Sequence, residues 1–475
     1  MCRDSAETRG HAPLQSNLLE LRQRASIPRR IIDPRIAHPV SPFFPSYIIF
    51  YLADNLAGES RKNGPLDAIM ISNRLRKWAR NAVVGVFSVL LLWTTYKHYN
   101  YDQYYLSSGD RALNRMNLTQ FELPTSNLTT GRANATLISL VRNEELGGII
   151  RSMRQLEMSW NNKYNYPWIF FNDVPFTEEF KKRTQAETKA QCHYALIPKE
   201  HWEIPEWIDD DQLKQGIAEQ KKKGIKYASS ISYHQMCRWN SGFFYKHPIL
   251  DNYKYYWRVE PDIKYFCDID YDLFQFMADH NKVYGFTINI FDDPFSVKSL
   301  WPTSMAFLKS HPDYLSTDNS MTWLTDDTLR PDKTLSANGY STCHFWSNFE
   351  IADLDFWRGE KYQKYFDHLD QSGGFFYERW GDAPVHSVAL GLFADNSQIH
   401  WFRDIGYEHP PYSNCPDLPN CQNCKPNVFA SGRVLKEDCR VTWFKQVCES
   451  RTQHGGMSPE ENEICRQSAN FSSII

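Results

Sequence analysis

The apolar run Tyr255–Val259 feeds directly into Glu260-Pro261-Asp262. Its aromatic and β-branched residues predict a buried strand. Pro261 fixes its own φ and pushes Glu260 toward extended backbone, so two carboxylates are presented where the strand ends. In an α/β sheet that edge is where ligands sit. Paired acids there suit Mg²⁺ or Mn²⁺ shared with the phosphates of a substrate. The same pattern also describes a strand-to-turn junction with two solvated acids, and the spacing alone leaves both readings open.

The neighbouring segments set the fold class. Residues 135–141 read as a buried strand, with Asn143 as a helix N-cap, and Leu146, Ile149, Ile150 and Met153 follow helical spacing. Residues 168–171 read as the next strand, ending in Asn172-Asp173, and a charged helix is expected from about Thr177. Further helices are expected over 229–245, 270–281, 358–369 and 383–392. Strands are expected over 283–288 and, broken by a loop, 342–351. This alternation implies a parallel α/β sheet.

Upstream, residues 82–96 are uncharged; counted from Trp78 to Lys97 with flanking cations at the interfaces, they can cross a thin membrane. Arg74, Arg76, Lys77 and Arg80 precede them, so the N-terminus is expected in the cytosol and the remainder across the membrane. No small-residue cleavage site follows, which favours an uncleaved signal anchor. The expected organisation is a cytosolic tail (1–77), the anchor (78–97), a glycosylated stem (98–134) and a lumenal catalytic domain with a Cys-rich tail (135–475). Residues 1–69 are read as a disordered extension or a misassigned start. Sequons at Asn117, Asn127, Asn134 and Asn470 agree with that orientation.

Eleven cysteines include Cys2 on the cytosolic side, leaving ten that can pair as disulfides. Cys421-Gln-Asn-Cys424 also has the spacing of half a zinc site or a redox motif. No second Cys-x-x-Cys or matching His pair follows, so disulfides in a loop-rich tail are the favoured reading. A net charge of −3 argues against a nucleic-acid partner.

Six segments together resemble one family: 140–146 (LVRNEEL), 233–242 (YHQMCRWNSG), 257–262 (WRVEPD), 344–350 (HFWSNFE), 380–384 (WGDAP) and 407–411 (YEHPP). The chain resembles the fungal Golgi α-1,2-mannosyltransferases of glycosyltransferase family 15. The resemblance implies an α/β fold of GT-A type with a mixed, mostly parallel sheet flanked by helices, a GDP-mannose donor, Mn²⁺, retention of the α configuration, and α-mannoside acceptors on glycoprotein N- or O-glycans. It also implies a single-pass type II Golgi membrane protein. By the same resemblance, Glu260, Asp262 and His409 are expected to bind the metal and Glu350 to be the catalytic carboxylate. Tyr233, Arg258 and Asp382 are expected to line the donor and acceptor sites, and Arg142 to serve the nucleotide.

Each residue also has a plain structural reading. Glu350 can pair with an arginine at a strand end, Asp382 can cap the following helix, Tyr233 can be core, and a lone His409 is more often not a ligand. Three rival functions share these residues. Mannosylphosphate transfer uses the same donor, and a lectin-like relative keeps binding without turnover. A glycoside hydrolase needs two carboxylates and no nucleotide.

Overall fold

The computed structural model describes residues 65–99, 106–114, 116, 118, 129, 131–327, 330, 337–430, 432–455 and 457–469. The chain divides into two units, residues 1–92 and 93–475. Helix α1, Pro65–Tyr99, contains Lys77–Lys97, a 21-residue stretch with none of its surface buried. At 1.5 Å per residue it spans about 30 Å, the thickness of a bilayer core. Among the described residues it is the one helix long and apolar enough to cross a membrane. Residues 65–69, expected as irregular chain, form its first turns. Residues 1–64 and the sequons at Asn117, Asn127 and Asn470 lie outside the described residues. Asn134 is exposed just before the first strand.

Part of the segment expected to be an irregular stem is folded. Helix α2, Ser108–Asn114, buries Ala112 completely, and its Asp110 meets Arg440 in the interior.

The central sheet has seven strands: β1 (Ala135–Leu140), β2 (Trp168–Asn172), β3 (Cys192–Leu196), β4 (Tyr255–Val259), β6 (Tyr284–Phe286), β9 (Phe349–Asp353) and β10 (Ile399–Trp401). Their order is β10-β6-β9-β4-β1-β2-β3. β1 to β4 run parallel to one another, β10 is parallel to β6, and β9 runs antiparallel between β4 and β6. The mixed, mostly parallel sheet is thus present. The hydrophobic runs that the sequence presents are long because both sheet faces are covered.

A second sheet joins β5 (Lys264–Tyr265), β11 (Tyr407–His409) and β12 (Tyr412–Asn414), and β7 (Asn289–Phe291) pairs with β8 (Cys343–Phe345). The run 342–351 is therefore two strands, β8 and β9, separated by a turn.

Strand periodicity sorts the side chains onto two faces. Tyr255, Trp257, Val259, Phe349 and Ile351 point into one core with helix α3, Leu146–Leu156. Tyr256, Tyr284 and Ala352 point into the other core. That second core is roofed by α4, Ile231–Gly242, and α5, Asp382–Phe393, which supply Cys237, Trp239, Val385 and Val388. Arg258 and Glu350 share the second face, so the alternation itself delivers their charges beneath α5.

Four disulfides hold the C-terminal region: Cys267–Cys421, Cys343–Cys439, Cys415–Cys424 and Cys448–Cys465. Cys421 and Cys424 pair with different partners, so they form no redox pair. Of the ten cysteines expected to be available for pairing, Cys192 and Cys237 are buried thiols. Cys343–Cys439 ties β8 to the start of α6, Arg440–His454.

Candidate active site

Arg142, Asn172 and Glu260 all follow or end parallel strands at the same edge of the sheet. This is the edge where α/β proteins receive ligands. Arg142, rather than Asn143, takes the N-cap position of the turn after β1. Its backbone N–H and its guanidinium both donate to Glu145, and its side chain is exposed.

Glu260 and Asp262 diverge. The Glu260 carboxylate accepts from Nε of Arg258 at 2.7 Å and is mostly shielded. Asp262 has φ of +62°, an uncommon conformation for a non-glycine residue. Its side chain is 60% exposed and accepts from Arg151 Nε at 2.7 Å. Gly148 lets α3 approach this loop closely: a Cβ there would stand 2.9 Å from Asp262 Oδ2 and 3.0 Å from Pro261 Cβ.

His409 ends β11, the strand paired with β5 just beyond the Glu-Pro-Asp turn. Its ring stands edge-on to Trp346 at 5.2 Å, and its Nδ1 is buried without a hydrogen-bond partner. Burial holds the imidazole below its ordinary value, against the opposing pull of Glu260, the Pro410 backbone and Asp262. A neutral, unpartnered ring nitrogen coupled to two carboxylates has the chemistry of a divalent-cation ligand. Among the described residues no three His, Cys, Asp or Glu side chains form a closed metal cage. A cation shared with substrate phosphates requires only one or two protein carboxylates, so the residues present fit such an ion.

Beneath this edge lies a buried charge ladder. Arg258 donates to Glu260, to Asp382 Oδ2 at 2.5 Å and to Ser347 at 3.4 Å, while Ser347 also donates to Asp382 at 2.8 Å. Burial pushes the Asp382 carboxyl up, but Arg258 and His386, with hydrogen bonds from Arg258 and Ser347, outweigh it and hold it below the usual range. Asp382 is the first residue of α5; Gly381 occupies the cap, so capping is not its role.

Glu350 lies directly across from Arg258 in the β4–β9 register. It is 1% exposed. Its Oε1 accepts from Tyr256 at 2.8 Å; its Oε2 lies 3.2 Å from the Tyr284 hydroxyl and 3.1 Å from His386 Nδ1. These contacts fix both oxygens of the carboxylate.

Tyr233 belongs to a third group. Its ring stacks on Tyr227 at 4.6 Å and receives the Arg379 guanidinium 5.7 Å from its centre. Arg379 in turn donates to Asp292 at 3.0 Å. Burial raises the Tyr233 hydroxyl well above its ordinary value, so it is a neutral phenol.

The sequence reading missed Tyr256, Tyr284, Asp292, Ser347, Arg379 and His386. His386 had a readable signal: it falls four residues after Asp382, one helical turn away on the same face. Arg379 and Asp292 meet only through the tertiary fold.

Residues 96–448 match the family described as glycolipid 2-alpha-mannosyltransferase. The probable mannosyltransferase KTR4 of Saccharomyces cerevisiae is 45% identical over 342 residues, covering 70% of this chain and 72% of that protein. The alpha-1,2 mannosyltransferase KTR1 of the same yeast is 48% identical over 314 residues, 65% of this chain and 77% of that protein. Core-mannan synthase A from Aspergillus fumigatus, solved in its Mn/GDP form, superposes with a TM-score of 0.67 at 60% identity, over 69% of this chain and 92% of that one. The mannosyltransferase Ktr4p of S. cerevisiae in complex with GDP superposes with a TM-score of 0.70 at 42% identity, over 75% and 92%.

Proposed function

This chain belongs to the glycolipid 2-alpha-mannosyltransferase family of glycosyltransferases, and from that premise we propose that it transfers mannose from GDP-mannose to the 2-hydroxyl of α-mannosides on glycoprotein N- or O-glycans. The reaction uses Mn²⁺ and retains the α configuration. The observation that carries this reading is the unpartnered Nδ1 of His409 beside Glu260, at the strand edge where Arg142 also stands.

Glu260 and His409, with Asp262 after release from Arg151, would hold the cation. Once bound, the cation neutralises negative charge developing on the diphosphate leaving group. Arg258, held between Glu260 and Asp382, keeps the metal-binding carboxylate and the acceptor-side carboxylate in fixed relation. Arg142 serves the nucleotide, and Tyr233 and Asp382 line the sugar sites. Glu350, anchored from behind, places a fixed negative charge near the carbon where positive charge develops. Attack from the face that the diphosphate leaves then preserves the α configuration.

Helix α1 fits a single-pass signal anchor with its N-terminus in the cytosol and residues 135–475 in the Golgi lumen. The disulfides support an oxidising compartment for that domain.

The test is a donor panel on the full chain in detergent, with methyl α-mannoside as acceptor. GDP-mannose turnover that is abolished by EDTA and restored by Mn²⁺ supports the reading. Turnover with a different nucleotide sugar alone overturns the donor assignment. An acid-labile product carrying one added phosphate identifies mannosylphosphate transfer instead.

A further inference from the structure

His386 is fully buried on α5, and both of its ring nitrogens have oxygen partners. Nε2 lies 3.1 Å from the backbone carbonyl oxygen of Asn240, and Nδ1 lies 3.1 Å from Glu350 Oε2. A carbonyl oxygen has no proton to give, so the hydrogen of that contact is on Nε2. A neutral ring protonated there offers only a lone pair at Nδ1. An ionised carboxylate is acceptor-only, so two lone pairs would face each other at hydrogen-bond distance. The contact therefore contains one more proton, either on His386 or on Glu350.

The surroundings favour His386 as its holder. Hydroxyls of Tyr256 and Tyr284 reach the two carboxylate oxygens, and donors to a carboxylate favour its ionised form. Arg258 stands directly across the strand pair. Glu260, Asp382 and Glu350 carry negative charge around the single guanidinium of Arg258, and a buried set of this kind calls for a second cation. Asp382, one turn back on α5, lies within electrostatic reach of His386, and the other sides of the ring meet aromatic side chains: Trp357 stacks at 4.3 Å, Tyr362 stands edge-on at 6.1 Å and Phe244 lies at 6.4 Å.

We propose that His386 is a positioning residue: it keeps a proton on Nδ1 and so holds Glu350 ionised and in one orientation behind the reacting sugar. This inference rests on the transferase reading for its kinetic consequence, but the proton itself is a property of the fold. No solvent path is needed to maintain it, since the pair is enclosed by aromatic side chains.

The test uses the full chain with His386→Asn and His386→Leu. The Asn amide nitrogen can occupy the Nδ1 position and donate without titrating, whereas Leu cannot donate. With GDP-mannose and methyl α-mannoside, His386→Leu is expected to lower kcat by about 100-fold, with KM for GDP-mannose within about threefold of the parent. His386→Asn should recover at least about tenfold of that loss.

A second readout needs no turnover. Nitrogen-15 nuclear magnetic resonance of the folded parent should show hydrogen on both ring nitrogens of His386, Nε2 toward the Asn240 carbonyl oxygen and Nδ1 toward Glu350. A bare Nδ1 would overturn the assigned proton even if no transfer were detected. Parent-like kcat in His386→Leu, or equal losses in both variants with KM and Tm moving together, would overturn the positioning role. A parent that shows hydrogen on both ring nitrogens but no transfer would contradict only the transferase reading.

Discussion

Arg258 on β4 and Asp382 at the start of α5, 124 positions apart in sequence, meet at 2.5 Å inside the protein. That contact fastens helix α5 to the sheet at the point where the Glu-Pro-Asp turn leaves it. It also explains why acids required at a surface edge are supported by charges that never reach solvent. Removing one member of such a buried pair leaves the other uncompensated.

Arg258→Leu should accordingly cost about 3–5 kcal/mol of stability, measured by urea unfolding, because Asp382 is left buried without its main partner. Asp382→Asn should cost less and change the acid response. The folded Asp382 carboxyl is held below its ordinary range, so its contribution is present above about pH 4 and is lost as pH falls through the lower folded value. The Asn variant should lack that part of the acid-side loss, read as a flatter dependence of unfolding free energy on pH.

His409→Ala should raise the Mn²⁺ concentration needed for half-maximal activity by at least about tenfold. Burial lowers the imidazole's protonation range, so the ring stays neutral below its ordinary value near 6.5. Titration of activity with Mn²⁺ at about pH 6 and 7.5 should show a smaller weakening toward the lower pH in the parent than an ordinary solvent-exposed histidine ligand would give.

Much of this architecture was legible because it rests on local chemistry. The Glu-Pro-Asp turn, the strand before it and the helical spacing after Asn143 are encoded within a few residues each. The sequence could not show that Asp262 would turn outward to Arg151 while Glu260 turned inward to Arg258, since both partners are brought there by the fold. Nor could it show that Glu350 would be enclosed by Tyr256, Tyr284 and His386 from three separate elements. Polarity misled at 98–134: Asp110 and Ser107 looked like solvated stem residues, yet both are buried against Asp438 and Arg440. A buried ion pair has the same local composition as a solvated one.

Gly148→Val should impair catalysis more than stability. Its Cβ would press on Pro261, which cannot rotate away, and on the flexible end of Asp262. A displaced Glu-Pro-Asp turn should lower kcat/KM by about tenfold or more, with the far-ultraviolet circular dichroism unchanged.

Replacing both Cys343 and Cys439 by serine opens a loop of 96 residues and should destabilise the domain by about 2–5 kcal/mol. The Cys448–Cys465 pair closes only 17 residues, so its removal should cost less. Chemical denaturation of the two double variants in parallel gives the order.

The most direct test of the central claim is nuclear magnetic resonance of the product formed from GDP-mannose, Mn²⁺ and methyl α-mannoside by the full chain. A disaccharide with an α-anomeric signal and a glycosidic correlation to the 2-carbon of the acceptor is the predicted result. A β-linked product would contradict retention, and free mannose with no disaccharide, from a preparation that consumes the donor, would contradict transfer to an α-mannoside.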